Sequence, residues 1–241
     1  MKKKYNLIAK DLPRDKIVKK ISSNTDMSRN LVEYAISESK TLTVKTVSYL
    51  SRERDYIDRV LKQYLDEIEK PFLVNQVAYC LHELAGNANR ANAKRVYFKE
   101  QGLDIHCPGD YTTGISTFRQ DTFSQIERFH TKQKAAGLYI KIDFQLKDET
   151  LRIRVRNNTP LTEEEKTRIH KKFETMKNYS SIPEAYEALE DYSEGAGLGL
   201  VMILQLLNNL GFGDDALNVD TNGKETIATL FLKAGNELYK D

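Results

Sequence analysis

The chain has 241 residues and nearly balanced charge, with 37 Lys and Arg against 35 Asp and Glu. Hydrophobic residues make up 40% of it, which is enough for a real core and excludes wholesale disorder. The charge balance removes the strongest reason to expect a nucleic-acid-binding protein, and no apolar run reaches the length of about 18 residues that a membrane span needs. Because the chain has only two cysteines, we expect a cytoplasmic protein with reduced thiols. From the charge balance and the apolar runs we expect no nucleic-acid partner and no membrane span.

Residues 1–70 are predicted to form a helical N-terminal region. Apolar residues recur at helical spacing in residues 27–36 and again in residues 57–68. The β-branched stretch over residues 41–47 is ambiguous between helix and strand. We place a boundary before Pro71, because proline can open a helix but does not sit inside one. Two copies of the chain could pair through these N-terminal helices.

Residues 71–241 are predicted to combine helices with an antiparallel sheet. Apolar spacing predicts helices over residues 72–92, 163–173 (after the cap residue Thr162) and 198–210. Alternation predicts a short strand over residues 95–99 and hairpins formed by residues 138–146 with 151–156 and 216–220 with 226–232. A polar insertion over about residues 100–136, helical near its end, is interpreted as either a partner-docking surface or a plain surface excursion. This order of elements indicates an α+β fold built as a two-layer sandwich.

Three polar side chains share one face of the helix predicted over residues 72–92. Glu83, Asn87 and Arg90 are four and three residues apart, which places them on one stripe. Asparagine offers a neutral oxygen to a divalent cation, glutamate can polarise a water or hydroxyl, and arginine neutralises phosphate charge. The alternative is an ordinary solvated helix face, since helix exteriors are usually polar.

Glycines alternate over residues 195–199, directly before an apolar helix. Backbone N–H groups in such a segment can approach an anion, and the helix N-terminus adds a favourable dipole. The spacing is neither that of a dinucleotide fingerprint nor that of a Walker loop. A glycine-rich hinge is the alternative.

Two asparagines, Asn157 and Asn158, end the strand predicted over residues 151–156. An amide at a strand end can recognise a base edge with both its donor and its acceptor, as an amide does for adenine. We expect Asn157 to face the core, because it shares the parity of Val155. An asparagine-rich turn is the alternative interpretation.

In this order the motifs resemble those of the GHKL superfamily, the ATPase fold shared by sensor histidine kinases, anti-sigma serine kinases, gyrase B subunits and mismatch-repair ATPases. The stretch from Glu83 to Arg90 resembles the N box, and residues 155–160 and 195–200 resemble the two glycine boxes. Residues 169–173 resemble the phenylalanine box of sensor kinases, and Gly223-x-x-Thr226 the closing element. The resemblance covers about residues 72–233 and implies a Bergerat-type ATP-binding fold, so that residues 71–241 would be a histidine-kinase-like ATPase domain.

The resemblance also implies a role for each matching residue. Asn87 would ligate Mg²⁺, Glu83 would be the catalytic base and Arg90 would meet a phosphate. The nucleotide would further contact Asn157 and Thr226 at the adenine and Gly195, Gly197, Leu198 and Gly199 at the triphosphate. Residues 174–194 would form the ATP lid. The implied function is Mg²⁺-ATP-dependent transfer of the γ-phosphoryl group to a protein phosphoacceptor in two-component-type signal transduction, by a kinase of the histidine-kinase-like or anti-sigma type.

Three departures from the family pattern keep other functions open. Asn157 stands where the family has its adenine-recognising Asp, and Thr159 and Leu161 stand where it has glycines. Residues 1–70 contain no histidine, whereas a sensor kinase carries its phosphoacceptor His on a helical hairpin upstream. The alternatives are a non-catalytic ATP-gated interaction module and an ATPase switch without a protein acceptor.

The four histidines are interpreted as structural or solvated. His82 lies next to Glu83 inside the predicted nucleotide-binding helix, and we expect a partly buried structural role for it. His106 and His130 lie in the polar insertion and His170 on an exposed helix turn.

Overall fold

The structure, a computed structural model, describes residues 16–20, 26–123, 125–178 and 198–233. The helices in this part of the chain are α1 (Asp26–Ser37), α2 (Ser51–Glu67), α3 (Val74–Gln101), α4 (Pro108–Phe123), α5 (Ile126–Ala135), α6 (Glu163–Asn178) and α7 (Leu198–Asn209). The strands are β1 (Lys16–Lys20), β2 (Thr41–Thr46), β3 (Ile140–Lys147), β4 (Thr150–Asn157), β5 (Leu217–Thr221) and β6 (Thr226–Lys233). None of these described helices combines the length and the apolar character needed to cross a membrane.

The described strands form one six-stranded sheet in the order β1-β2-β3-β4-β6-β5. Every pairing in it is antiparallel except that of β1 with β2. Alternate residues of the strands point towards the helices and are buried: Leu42, Val44, Ile140, Ile142, Phe144, Leu151, Ile153, Val155, Ala228, Leu230 and Leu232. Helix α3 packs against β3 and β4, and α7 packs against α3. This mixed architecture is compatible with the α+β sandwich that the sequence predicts.

The N-terminal region is only partly helical. Helices α1 and α2 cover the two stretches that the apolar spacing predicts, but residues 16–20 and 41–46 are strands. Leu42 of β2 pairs with Phe144 of β3, and Tyr64 of α2 stacks on the same Phe144 at 5.4 Å between ring centroids. β-branched residues fit a pleated surface, and this explains why the ambiguous stretch is a strand. One sheet and one main core therefore extend across the boundary placed before Pro71, while the division of the chain into functional units stays a prediction.

Helix α3 is longer than the sequence predicts, and the strand predicted over residues 95–99 is wrong. Val96, Tyr97 and Phe98 are all buried within the helix. Three consecutive apolar residues are typical of a buried strand. Here they are buried on a helix, because α4 and α5 cover a side of α3 that would otherwise be exposed. The helix ends at Gly102, whose positive φ of 68° gives the left-handed cap that glycine adopts easily.

The insertion over about residues 100–136 folds into α4 and α5. These helices pack on the C-terminal half of α3 and form a second cluster of buried side chains, separate from the main core. The cluster contains Ala93, Val96, Tyr97, Phe98, Tyr111, Ile115 and Phe129. The insertion is therefore a packed helical layer with its own small core.

Both predicted hairpins and the predicted helix cap are confirmed. In the β3–β4 hairpin, the turn residues Asp148 and Glu149 have φ of 48° and 58°, whereas the β5–β6 hairpin places Gly223 at a φ of 80°. At the start of α6, the Glu165 N–H donates to Thr162 Oγ1 at 3.2 Å and the Thr162 N–H donates to Glu165 Oε2 at 3.0 Å. This reciprocal pair is a capping box.

Candidate functional site

Glu83, Asn87 and Arg90 lie side by side on α3, as their spacing predicts. The Arg90 guanidinium donates to Asn87 Oδ1, and its Nη2 lies 3.9 Å from Glu83 Oε2. The side chains of Arg90 and Glu83 are 57% and 34% exposed, and Asn87 is exposed. A ligand could therefore approach this group, which we call the Glu83–Arg90 face, from outside the helix.

The first turn of α7 reaches this face at Gly199. A Cβ atom on Gly199 would overlap the Glu83 carboxylate and would lie 3.3 Å from its Cδ, so glycine is the residue that allows this approach. One turn earlier on α3, the Tyr79 hydroxyl donates to Met202 Sδ at 3.2 Å. Burial, and then the charge of Glu83, raise the pKa of Tyr79. These two contacts bring the described part of the second glycine box against the Glu83–Arg90 face.

Part of the predicted triphosphate site cannot be placed in this way. Gly195 and Gly197 lie outside the described residues, as does most of the predicted lid, from residue 179 to residue 194. Residues 174–178 are the last residues of α6. Leu198 and Gly199 are the first two residues of α7, so the described part of the second glycine box lies at the described start of this helix.

Asn157 is the last residue of β4 and is only 2% exposed. Its Nδ2 donates to Asn92 Oδ1 at 3.2 Å and also donates to the Thr159 hydroxyl. Asn92 belongs to α3, and its own Nδ2 donates to the backbone oxygen of Tyr139 at 3.1 Å. Thr226 pairs with Asn157 across the β4–β6 ladder and donates its hydroxyl proton to the Thr159 backbone oxygen at 2.7 Å. A buried polar network therefore joins the end of β4 to α3 and β6.

Asn158 points away from this network. Its Oδ1 accepts a hydrogen bond from the Tyr139 N–H at 2.7 Å, and its Nδ2 donates to the Gly137 backbone oxygen at 3.1 Å. The side chain therefore holds the segment that enters β3. Of the two asparagines, Asn157 is the one that is buried beside Val155, as strand alternation predicts.

A buried ion cluster fixes the start of α6, the helix that leads towards the predicted lid. The Glu165 carboxylate lies 3.0 Å from Lys94 Nζ and 2.8 Å from Arg95 Nη2, and Arg95 also donates to the Pro160 backbone oxygen at 2.7 Å. Burial acts to raise the pKa of Glu165, but the hydrogen bond from Arg95 and the charge of Lys94 outweigh it and hold the pKa at about 2. The carboxylate is therefore ionised at neutral pH.

The insertion reaches the same cluster through Tyr111 of α4. The Tyr111 hydroxyl accepts hydrogen bonds from Lys94 Nζ and Arg168 Nη1, both at 3.3 Å. Arg168 belongs to α6, so α3, α4 and α6 meet at this point. Whether the insertion docks a partner stays a prediction.

His82 bridges α3 and the segment that carries α2. Its Nδ1 lies 2.6 Å from the Tyr49 hydroxyl and its Nε2 lies 3.0 Å from Asp58 Oδ1. Both ring nitrogens therefore have partners, and the side chain is half-buried, which agrees with the structural role expected for it. His106 and His170 are exposed.

Two buried residues of this site, Asn92 and Thr159, were not predicted from the sequence motifs. Asn92 is completely buried, and Thr159 is 4% exposed although it occupies a position where the resembling family has glycine. A signal for Asn92 was present, because it falls four residues after Ala88 on the inward stripe of α3, where an apolar residue is expected. A polar residue at such a position needs buried hydrogen-bond partners.

Comparison with known proteins assigns no activity. No family model matches the chain, and no solved structure matches it. An uncharacterized protein of Treponema pallidum (strain Nichols) is 37% identical over 194 residues. That match covers 80% of this chain and 38% of the relative, so this chain spans well under half of the length of that protein.

Proposed function

We propose that this chain is a GHKL-type protein with a Bergerat-type ATP-binding fold, which binds Mg²⁺-ATP and transfers the γ-phosphoryl group to a protein in signal transduction. The observation that carries the proposal is the contact between Glu83 on α3 and Gly199 on α7. These two motifs lie far apart in the sequence, and their contact brings a carboxylate, a carboxamide and a guanidinium together with the described start of α7. Such a group of side chains suits phosphoryl transfer, in which positioning and charge neutralisation do most of the work.

The residues present fit a Mg²⁺ ion held jointly with a nucleotide. The described residues contain no cluster of three or more His, Cys, Asp and Glu side chains arranged to hold a metal, so the ion would depend on Asn87 and on phosphate oxygens. Arg90 now donates to Asn87 Oδ1. Because the Arg90 side chain is long and 57% exposed, it can turn to a phosphate and leave that oxygen for the metal. The bound ion would neutralise charge on the phosphates.

Glu83 would orient the acceptor and take its proton. Its carboxylate lies one helical turn before Asn87, beside the N-terminus of α7, so it can touch an attacking hydroxyl or water without being needed to hold the nucleotide. Arg90 and the backbone N–H groups at the described start of α7 would stabilise the charge on the transferred group.

Incubation with γ-labelled ATP, alone and with candidate partner proteins, tests this function. Glu83→Gln keeps the shape of the side chain but cannot take a proton, so transfer or hydrolysis should fall by about 100-fold or more while ATP binding persists. Glu127→Gln, at an exposed position of α5, is the matched control and should keep full activity. The stability of any protein-bound label in acid and in base would show which kind of residue accepts the phosphoryl group. Undiminished transfer in Glu83→Gln would remove Glu83 from the chemistry.

A non-catalytic ATP-gated interaction module is the second candidate, and the N-terminal region favours it. Helices α1 and α2 belong to the same core as α3, and His82 ties α3 to Asp58 of α2. Because this region packs on α3, a conformational change in the nucleotide site can be passed through it to a partner. The region also differs from the upstream hairpin that carries the phosphoacceptor in a sensor kinase. Wild-type protein that binds ATP without hydrolysis or transfer would support this candidate. Wild-type protein that hydrolyses ATP without transferring the phosphoryl group would support the ATPase switch.

A further inference from the structure

We propose that Asn92 and Thr159 are positioning residues that set base specificity, because they hold the Asn157 amide with its carbonyl oxygen available to the ligand. The site would then take a base with an exocyclic amino group, as adenine has, in preference to one with a carbonyl oxygen at the same place. This inference rests on the proposed nucleotide-binding function, and it concerns residues that the motif resemblance does not assign.

An asparagine alone does not select between these bases. Its oxygen and its NH₂ group are almost equal in shape, and a half-turn of the amide exchanges an acceptor for two donors. The orientation must therefore be fixed by a neighbour whose own role is unambiguous. In this network, the backbone oxygen of Tyr139 is such a neighbour, because a carbonyl can only accept.

The orientation passes from Tyr139 to Asn157 through Asn92. Asn92 lies 3.1 Å from the Tyr139 oxygen and must present its NH₂ group there. Its Oδ1 therefore faces Asn157, and since this oxygen can only accept, the group of Asn157 at 3.2 Å must be NH₂ as well. The Asn157 oxygen is left as the free end of the amide.

Thr159 reinforces the same orientation. Its hydroxyl accepts from the Asn157 NH₂ group and donates to Asn92 Oδ1 at 3.4 Å. Both protons of the Asn157 amide are then used, and among the described residues nothing donates to Asn157 Oδ1. A half-turn of this amide would place two oxygens against each other at Asn92, in a site where Asn92 and Thr159 are almost fully buried. Buried polar groups left unpaired in this way strongly disfavour the turned state.

Thr226 offers the ligand an acceptor as well. Its hydroxyl proton is donated to the Thr159 backbone oxygen at 2.7 Å, so the remaining lone pairs can only accept. Asn157 and Thr226 are directly paired across β4 and β6. Two acceptors at adjacent strand ends match the two amino protons at C6 of adenine, and they oppose the oxygen of a 6-oxo purine.

Titration of wild-type protein with Mg²⁺-ATP and Mg²⁺-ITP tests this inference, because inosine carries a 6-oxo group where adenosine carries the amino group. We expect ATP to bind about tenfold or more tightly than ITP. Asn92→Leu removes the fixed acceptor, so the Asn157 amide can turn and the two affinities should come within about threefold of each other. Asn92→Asp, protonated on the oxygen that faces the Tyr139 backbone oxygen, should keep the preference for ATP, because its other oxygen still only accepts from Asn157. Asn75→Leu, at an exposed position of α3, is the matched control.

Thr159→Val gives the same test with a smaller change, in case Asn92→Leu does not fold. It removes a second partner of the Asn157 NH₂ group, and the ratio of the ATP and ITP affinities should fall. A ratio that stays at the wild-type value in both folded variants, or that is lost in Asn92→Asp, would overturn the inference. Equal wild-type affinity for ATP and ITP would also overturn it while leaving nucleotide binding intact, whereas binding of neither nucleotide would refute the proposed function and this inference together.

Discussion

Glu165 is expected to stabilise the fold through its ionised carboxylate. Its side chain is 9% exposed, and Lys94 and Arg95 hold its pKa at about 2, against an ordinary value of 4.5. At about 1.4 kcal/mol for each pH unit between these values, ionisation contributes about 3–4 kcal/mol to the free energy of unfolding. Because the pKa is lowered in the folded state, this contribution is complete above pH 4.5 and is lost as the pH falls towards 2.

The substitution Glu165→Gln removes this charge from beside Lys94 and Arg95. Urea unfolding followed by circular dichroism suits a chain that has no tryptophan. At pH 7 we expect the variant to lose about 3–4 kcal/mol relative to wild type, because the contribution of the ionised carboxylate is gone. The difference should shrink as the pH falls from 4.5 towards 2, since the wild-type carboxylate is then protonated.

Glu163→Gln is the matched control, because Glu163 lies in the first turn of the same helix with its side chain 84% exposed. We expect it to change stability by less than about 0.5 kcal/mol. A Glu165→Gln variant that stays within about 1 kcal/mol of wild type at pH 7 would refute this role of the carboxylate. A loss of stability as large at low pH as at neutral pH would refute it too.

Two further substitutions test the site and the fold. In Gly199→Ala the new Cβ should displace the flexible Glu83 carboxylate, so we expect phosphoryl transfer to fall by about 100-fold while stability changes little. Full activity in the γ-labelled ATP assay would show that the close approach of Gly199 to Glu83 is not needed. Glu149→Gly should raise stability by about 0.5–1 kcal/mol, because Glu149 has a φ of 58° in the two-residue turn after β3, and a lowered Tm in thermal unfolding would contradict this.

The parts of the fold that sequence predicts are those governed by local rules. The β3–β4 hairpin follows from alternation and a short turn, and α6 follows from its cap at Thr162. In contrast, β2 pairs with β3, which lies about 100 residues later, and nothing local in residues 41–46 signals that partner. The extension of α3 beyond residue 92 likewise depends on burial beneath α4 and α5.

The same distinction applies to the site. Glu83, Asn87 and Arg90 share a face because the helical repeat places them there, and their mutual contacts need no other element. The network of Asn157 depends on Asn92, which is 65 residues earlier in the chain. Only the packing of α3 against β4 brings these side chains together, so sequence spacing could not show it.

The proposed function depends on magnesium-dependent ATP binding, which calorimetric titration of the full chain measures. ATP should bind in the presence of Mg²⁺ and much more weakly after the metal is chelated. Asn87→Ala should lose about tenfold or more in affinity, since it removes the proposed metal ligand, whereas the control Asn75→Ala, exposed on the same helix, should match wild type. Wild-type protein that binds no ATP would refute the proposed nucleotide site, and an Asn87→Ala variant with unchanged Mg²⁺-dependent affinity would show that Asn87 does not hold the metal.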